Sequence, residues 1–202
     1  MGQMLERPDC TLYVIRHGRT ALNASGVLRG RLDPALDEVG RAQAAWLART
    51  LAPVELDKVV SSPLRRAMET AQAIASYRQI PVTYDPAWID RDYGPFAGHP
   101  ASELIDDYRS IDLAPGVEPL EHLRERVMCG LDALCKSIGA GWRVAAIAHD
   151  AVNKTLLSQL VDSLPNDPEL IAQSTGCWNQ LELHGGTWSA VVVNATPPGF
   201  DS

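Results

Sequence analysis

Short β-branched apolar segments alternate with stretches of helical periodicity along most of this chain, and no other feature narrows its possible folds as much. Cys10 to Ile15 reads as a buried strand that runs straight into Arg16, His17 and Gly18. From Gly40 to Ala52 the apolar residues Ala44, Leu47, Ala48 and Leu51 recur at helical spacing and lay one stripe on a helix. Lys58 to Ser61 is a second strand. Ser62 and Pro63 then supply an N-cap hydroxyl and a proline at the first helical position, opening a second helix with Leu64, Ala67, Ala71, Ile74 and Ala75 inward. Pro81 to Tyr84 is a third strand, Pro119 to Ile138 a long helix, Val144 to Ala148 a fourth strand, and Asp150 to Leu164 a further helix. Trp178 to Leu183 and Thr187 to Val193 flank His184-Gly185-Gly186, a hairpin signal. Strands alternating with helices predict an α/β fold: a mainly parallel sheet with helices on both faces and an antiparallel edge from the final hairpin.

A chain of 202 residues suits one domain, expected over residues 1–195, with 196–202 as a flexible tail. Its 46% hydrophobic and 21% charged residues are those of an ordinary globule and exclude bulk disorder. With 18 Lys and Arg against 25 Asp and Glu, the net charge of −7 disfavours nucleic acid as a partner. The apolar run Val144 to Ala148 is far short of the ~20 residues that span a bilayer, so no membrane partner is expected. Met1 to Asp9 lacks an apolar export region, and Glu6 stands where a myristoylation signal wants Ser or Thr. The four cysteines form no Cys-x-x-Cys pair, and Cys10, Cys129 and Cys135 read as small buried hydrophobes. A reducing cytoplasm is the expected location.

In an open α/β sheet, ligands bind outside the carboxyl ends of the strands, so the residues that follow each strand carry the functional signal. Here they are Arg16-His17-Gly18-Arg19-Thr20, Ser62-Pro63-Leu64-Arg65-Arg66 and His149-Asp150. Two histidines and several arginines should therefore meet at one edge of the sheet. A guanidinium fork matches phosphate oxygens, and a neutral imidazole can attack phosphorus and carry the phosphoryl group. The pattern points to phosphoryl transfer.

These segments resemble the histidine phosphatase superfamily, in its phosphoglycerate mutase-like branch. Arg16 to Thr20 resembles that family's Arg-His-Gly-x-Thr, and Asn23 matches its phosphate-holding asparagine. Gly30, Asp33, Leu36 and Gly40 resemble its Gly-x-x-Asp-x-x-Leu…Gly segment. Ser62 to Ala71, Asp90 to Gly98 and Ala148-His149 are similar to the segments that bring in an arginine, an acid and a second histidine. The resemblance implies that His17 is the nucleophile and that Arg16, Arg66 and His149 bind and neutralise the phosphoryl oxygens. It implies further that Asn23, Gly30, Arg91 and Tyr93 contact the substrate, a small-molecule phosphate monoester, with no cofactor and no metal. The fold it implies is a three-layer sandwich of a mainly parallel sheet between helices.

Two departures bear on the general acid. The branch usually has Glu where this chain has Asp90, and Gly where it has Asp150, which resembles the His-Asp pair of the acid phosphatase branch. An alkoxide needs a proton as it leaves. Asp90 is the favoured donor, with Asp150 next; Asp150 also has an ordinary reading as a helix cap or as the residue that orients His149. His99, His122 and His184 read as surface residues, and Arg65 and Arg78 as a solvated helix face. The stretch from Asp90 to Pro119 is the expected substrate-facing lid, with Arg91, Phe96, His99, Tyr108, Arg109 and also Trp178 as specificity residues. The expected activity is a metal-independent phosphomonoesterase acting through a phosphohistidine. A phosphoglycerate-type mutase is the alternative, followed by an idle phospholigand-binding protein and, last, a metallohydrolase.

Overall fold

The computed structural model describes residues 9–199; the expectations that fall on Met1 to Pro8 and on the end of the tail lie outside them. β1 (Cys10–Arg16) alternates Leu12 and Val14 toward one face with Tyr13 and Ile15 toward the other, and all seven of its residues are buried. A strand apolar on both faces needs a cover on each side. A one-turn helix, α1 (Ala21–Ala24), leads to α2 (Glu38–Leu51), then β2 (Lys58–Ser61), α3 (Arg65–Ser76) and β3 (Val82–Tyr84). The lid helix α4 (Ala101–Tyr108) precedes α5 (Leu120–Lys136), β4 (Trp142–Ala148) and α6 (Asp150–Leu160), and the hairpin β5 (Trp178–His184) and β6 (Thr187–Ala195) ends the fold.

The sheet order is β3-β2-β4-β1-β5-β6. β1, β2, β3 and β4 run parallel, and the hairpin lies antiparallel on the β1 edge. Helices α2 and α3 cover one face, where Leu47, Leu51, Ala67, Ala71 and Ile74 pack on Tyr13, Ile15, Ala145 and Ile147. α5 and α6 cover the other, with Leu123, Val127, Leu131, Val152 and Leu156 on Leu12, Val14, Val144 and Ala146. Each such fully buried leucine contributes about 1.5–3 kcal/mol of transfer free energy. The expected α/β sandwich is the one observed. Among the described residues no helix is long and apolar enough to cross a membrane.

Register decides where the chemistry lands. Arg16 pairs with Ala148, and Ser61 with Ile147, so β1, β2 and β4 end at one level. The His17 N–H donates to Ala148 O at 3.1 Å and the Ser62 N–H to Ile147 O at 2.9 Å, extending the ladder one residue into each loop. Beside this edge Gly18 and the buried Gly40 of α2 touch backbone to backbone: a Cβ on Gly18 would lie 2.4 Å from Gly40 O. Only glycines let the N-terminus of α2 approach the loop so closely. Asp37 caps that helix through Gly40 N–H at 2.7 Å and pairs with Arg19 at 2.9 Å.

Several local expectations change. α3 begins at Arg65 after an extended Leu64, not at Pro63, because the Ser62 hydroxyl turns toward His149 and accepts only from the Leu64 N–H. α6 stops at Leu160, where Val161 is extended. Cys129 is exposed, on the outer side of α5 opposite its buried stripe. Trp178 packs on Tyr13, ring centroids 6.1 Å apart, among the core residues under α2 and α3, and so does not serve the lid.

Candidate active site

His17 and His149 stand side by side past the ends of β1 and β4, buried, with ring centroids 5.1 Å apart. Two contacts fix the His17 proton. Nδ1 lies 2.7 Å from Gly18 O, which can only accept, and Nε2 lies 3.1 Å from Arg66 Nε, which can only donate. The ring is therefore the Nδ1–H tautomer with its lone pair on Nε2, the form required of a nucleophile. His149 Nε2 lies 2.8 Å from Ser62 Oγ, which already accepts from Leu64 N–H. The hydroxyl can donate to that nitrogen or accept a second hydrogen bond from it, and His149 Nδ1 is buried and unpartnered.

Burial, reinforced by the charge of Arg66, pushes both imidazoles well below the ordinary 6.5, so both are neutral at neutral pH. In the unfolded chain the same rings take up protons near 6.5, so below that value the unfolded state binds more protons. Their contribution to stability is complete above about pH 6.5 and is lost as the pH falls toward their depressed folded values. Asp90, whose carboxyl is pushed up by burial against the pull of Arg66, has the opposite sign: its contribution is present in acid and lost as the pH rises. Comparing urea midpoints from pH 7.5 to 5.5 for wild type and His149→Gln isolates the histidine share. The wild type should lose stability more steeply; equal slopes would contradict this account of the rings.

Arg66, at the start of α3 and fully buried, ties the pocket together. Its Nη2 donates to Asp90 Oδ2 and to Gly30 O, both at 2.9 Å, and its Nη1 to Leu32 O at 2.7 Å. Gly30, at φ +49°, presents its carbonyl to Arg66, and a Cβ there would lie 2.9 Å from Arg91 O. Asp90 Oδ1 accepts from the Arg91 N–H at 2.9 Å, and Oδ2 lies 3.7 Å from His149 Nδ1. Arg16 donates through Nη1 to Asp150 Oδ1 at 3.1 Å and to Gln173 O, and leaves its buried Nε without a partner. A buried amide cluster of Gln173, Asn179 and Asn153 holds that carbonyl in place.

The predicted residues are thus gathered, with two changes of role. Asp150 neither caps a helix nor touches His149; as the first residue of α6 it pairs with Arg16 and, at 3.2 Å, with Lys154. Arg91 is 3% exposed and spent on the lid, donating to Glu118 O at 2.9 Å and to Asp112 at 2.5 Å, with Tyr93 under its guanidinium at 5.8 Å. Asn23 accepts from the Thr20 N–H and hydroxyl at 3.0 and 2.8 Å and lines the cavity with its amide nitrogen unengaged. The sequence reading missed Arg29, Ser62 as the partner of His149, and Gln173. Arg29 sits in a polar loop that looks solvated, yet its Nε is buried and unpartnered beside Arg16.

A cavity of about 690 Å³ lies on the Arg16 side of this cluster, lined by Arg16, Arg19, Asn23, Arg29, Gln173 and Thr175 among others. Three buried nitrogens without partners, Arg16 Nε, Arg29 Nε and His149 Nδ1, belong to the site, and the two arginine nitrogens are obligate donors. Buried donors of this kind call for an acceptor-rich anion. A neutral imidazole nucleophile among guanidinium groups, with a buried carboxyl at hand, is the equipment of covalent phosphoryl transfer.

Comparison with known proteins gives the family. The chain belongs to the histidine phosphatase superfamily (branch 1), whose model matches residues 12–196. Its enzyme class is accordingly that of the phosphoric monoester hydrolases. It is 32% identical over 179 residues to the uncharacterized phosphatase PhoE of Bacillus subtilis, covering 87% of this chain and 89% of that one. It is 31% identical to the glucosyl-3-phosphoglycerate phosphatase of Mycolicibacterium vanbaalenii, over 86% and 84% of the two chains. The solved structure of Bacillus stearothermophilus YhfR superposes with a TM-score of 0.84 at 26% identity, covering 93% of this chain and 98% of that one.

Proposed function

We propose that this protein is a metal-independent phosphomonoesterase that hydrolyses a small phosphorylated metabolite through a phosphohistidine on His17. The observation that carries the reading is the fixed tautomer of His17: a neutral ring whose Nε2 lone pair is held beside Arg66, in a site with the unpartnered nitrogens of Arg16 and His149. Nε2 attacks phosphorus, the P–O bond to the alcohol breaks, and Asp90 delivers the proton to the leaving oxygen. Water then attacks the phosphohistidine, giving up a proton to Asp90 and returning inorganic phosphate and free His17. Asp90 suits the donor role because burial raises its carboxyl pKa against the pull of its one ion-pair partner among the arginines, Arg66, whereas Asp150 is more exposed and paired with two cations, Arg16 and Lys154. The guanidinium groups stabilise the equatorial charge of the phosphoryl group in flight, which magnesium does elsewhere. Among the described residues no cluster of three His, Cys, Asp or Glu side chains is placed to hold a metal.

The cavity argues for a polar, hydroxylated alcohol. Asn23, Gln173, Ser174 and Thr175 line it with Arg19, and only Ala24 and Val39 add apolar side chains. The name of the Mycolicibacterium relative points the same way, to a glycosylated phosphoglycerate. The lid argues against a mutase. It spans residues 91–119 around a small core of Leu104, Ala114 and Val117; of its two arginines Arg91 is consumed by Asp112 and Glu118, and the exposed Arg109 stands in a stretch that also carries Glu103, Asp106 and Asp107, a poor grip for a bisphosphate.

Phosphate release across a panel of sugar phosphates, phosphoglycerates, nucleotides and phosphopeptides tests this reading. Hydroxylated small monoesters should be turned over best, and EDTA should change nothing. Activity lost to EDTA and restored by a divalent metal would overturn the metal-independent mechanism; interconversion of phosphoglycerates much faster than any phosphate release would promote the mutase.

A further inference from the structure

The arginines around this site are not equivalent. Arg16 pairs with Asp150 at 3.1 Å, Arg66 with Asp90 at 2.9 Å, Arg19 with Asp37 at 2.9 Å and Arg91 with Asp112 at 2.5 Å. Arg29 has no carboxylate within 4 Å among the described residues. It donates through Nη1 to Val27 O at 3.0 Å, and its Nε is buried with no acceptor. Burial, chiefly, and the neighbouring Arg16 press its charge toward neutrality, against the weaker pull of the more distant Asp90, Tyr93 and Asp150. A half-buried cation with no ion-pair partner is costly to a ligand-free fold. Its position is also set: the turn through Gly30, held between Arg66 and the backbone at Arg91, fixes the chain one residue further on.

Resting on the phosphomonoesterase reading, we propose that Arg29 is a further catalytic cation that touches the phosphoryl oxygens, its unpaired charge acting with that of Arg66 to match the two negative charges of a phosphate monoester dianion. A monoester is close to doubly charged at neutral pH. When Asp90 carries the proton destined for the leaving group, Arg66 loses its counter-charge. Arg16 stays neutralised by Asp150, and both histidines are neutral. Two guanidinium charges, those of Arg66 and Arg29, then face the dianion. Without Arg29 one phosphoryl charge would sit unmatched in a buried pocket.

The test compares wild type, Arg29→Gln and Arg29→Lys in the intact protein, with inorganic phosphate as the probe. Arg29→Gln should weaken the phosphate Kd about 10- to 100-fold and lower kcat/KM on p-nitrophenyl phosphate by a similar factor, while Arg29→Lys, which keeps the charge, loses less. Removing the unpaired cation should also raise the phosphate-free Tm of Arg29→Gln by about 2–4 °C. Added phosphate should then stabilise wild type more than the variant. A folded Arg29→Gln protein whose phosphate Kd stays within about threefold of wild type overturns the proposal and leaves the phosphatase reading intact. Phosphate binding through Arg29 in a wild type that hydrolyses no monoester removes the phosphatase reading and keeps the anion site.

Discussion

His17→Ala should lower kcat by at least ~10⁴-fold on every phosphate monoester, because no other side chain within reach can carry the phosphoryl group. Neighbouring groups cannot take over. His149 points Nε2 at Ser62, and the carboxyls of Asp90 and Asp150 are paired with Arg66 and Arg16. The fold should survive, since the ring contributes contacts to the pocket and leaves both packed faces of the sheet intact. Unchanged circular dichroism with lost turnover in an initial-rate assay is the expected pair of results. Near-normal turnover in a folded His17→Ala protein would exclude covalent catalysis at this residue.

Asp90→Asn should cost ~10²- to 10⁴-fold in kcat with an alcohol leaving group and far less with p-nitrophenol, which departs without a proton. The substitution keeps the shape of the side chain and can still accept from the Arg91 N–H, but it removes the counter-charge of Arg66, so a loss common to both leaving groups reports the Arg66 pair and the excess loss with the alcohol reports proton delivery. Asp150→Asn should behave differently. It removes a charge from Arg16 and Lys154, so both leaving groups should suffer alike. Leaving-group dependence appearing in Asp150→Asn and not in Asp90→Asn would move the acid role to Asp150.

The parts of the site carried by strand ends were legible in the sequence, and the parts made by long-range pairing were not. β2 runs over Lys58–Ser61 as its β-branched pair Val59-Val60 indicates, because the middle of a strand buried between two helical layers is filled by apolar side chains. Once β1, β2 and β4 are recognised, His17, Ser62 and His149 must lie together at their ends. Single residues near these ends were harder to read. Ser62-Pro63 has the chemistry of a helix start, yet the hydroxyl serves His149, a partner 87 positions away. Asp150 looks like a cap for the helix it begins, and finds Arg16 across 134 positions. Arg91 sits in a segment shared with substrate contacts and is drawn into the lid by Glu118 and Asp112. Arg29, between Leu28 and Gly30 in a charged loop, carries no periodic or motif signal of burial. Each of these outcomes depends on which charge or carbonyl arrives from elsewhere in the fold, and spacing along the chain does not encode that.

Trapping the enzyme during turnover of a ³²P-labelled monoester tests the central claim most directly. Quenching in alkali and digesting the protein should place the label on the peptide containing His17, on a bond stable to base and labile to acid, and His17→Ala should carry none. Label on a different residue, or rapid turnover with no labelled protein at any time point, would contradict the phosphohistidine mechanism.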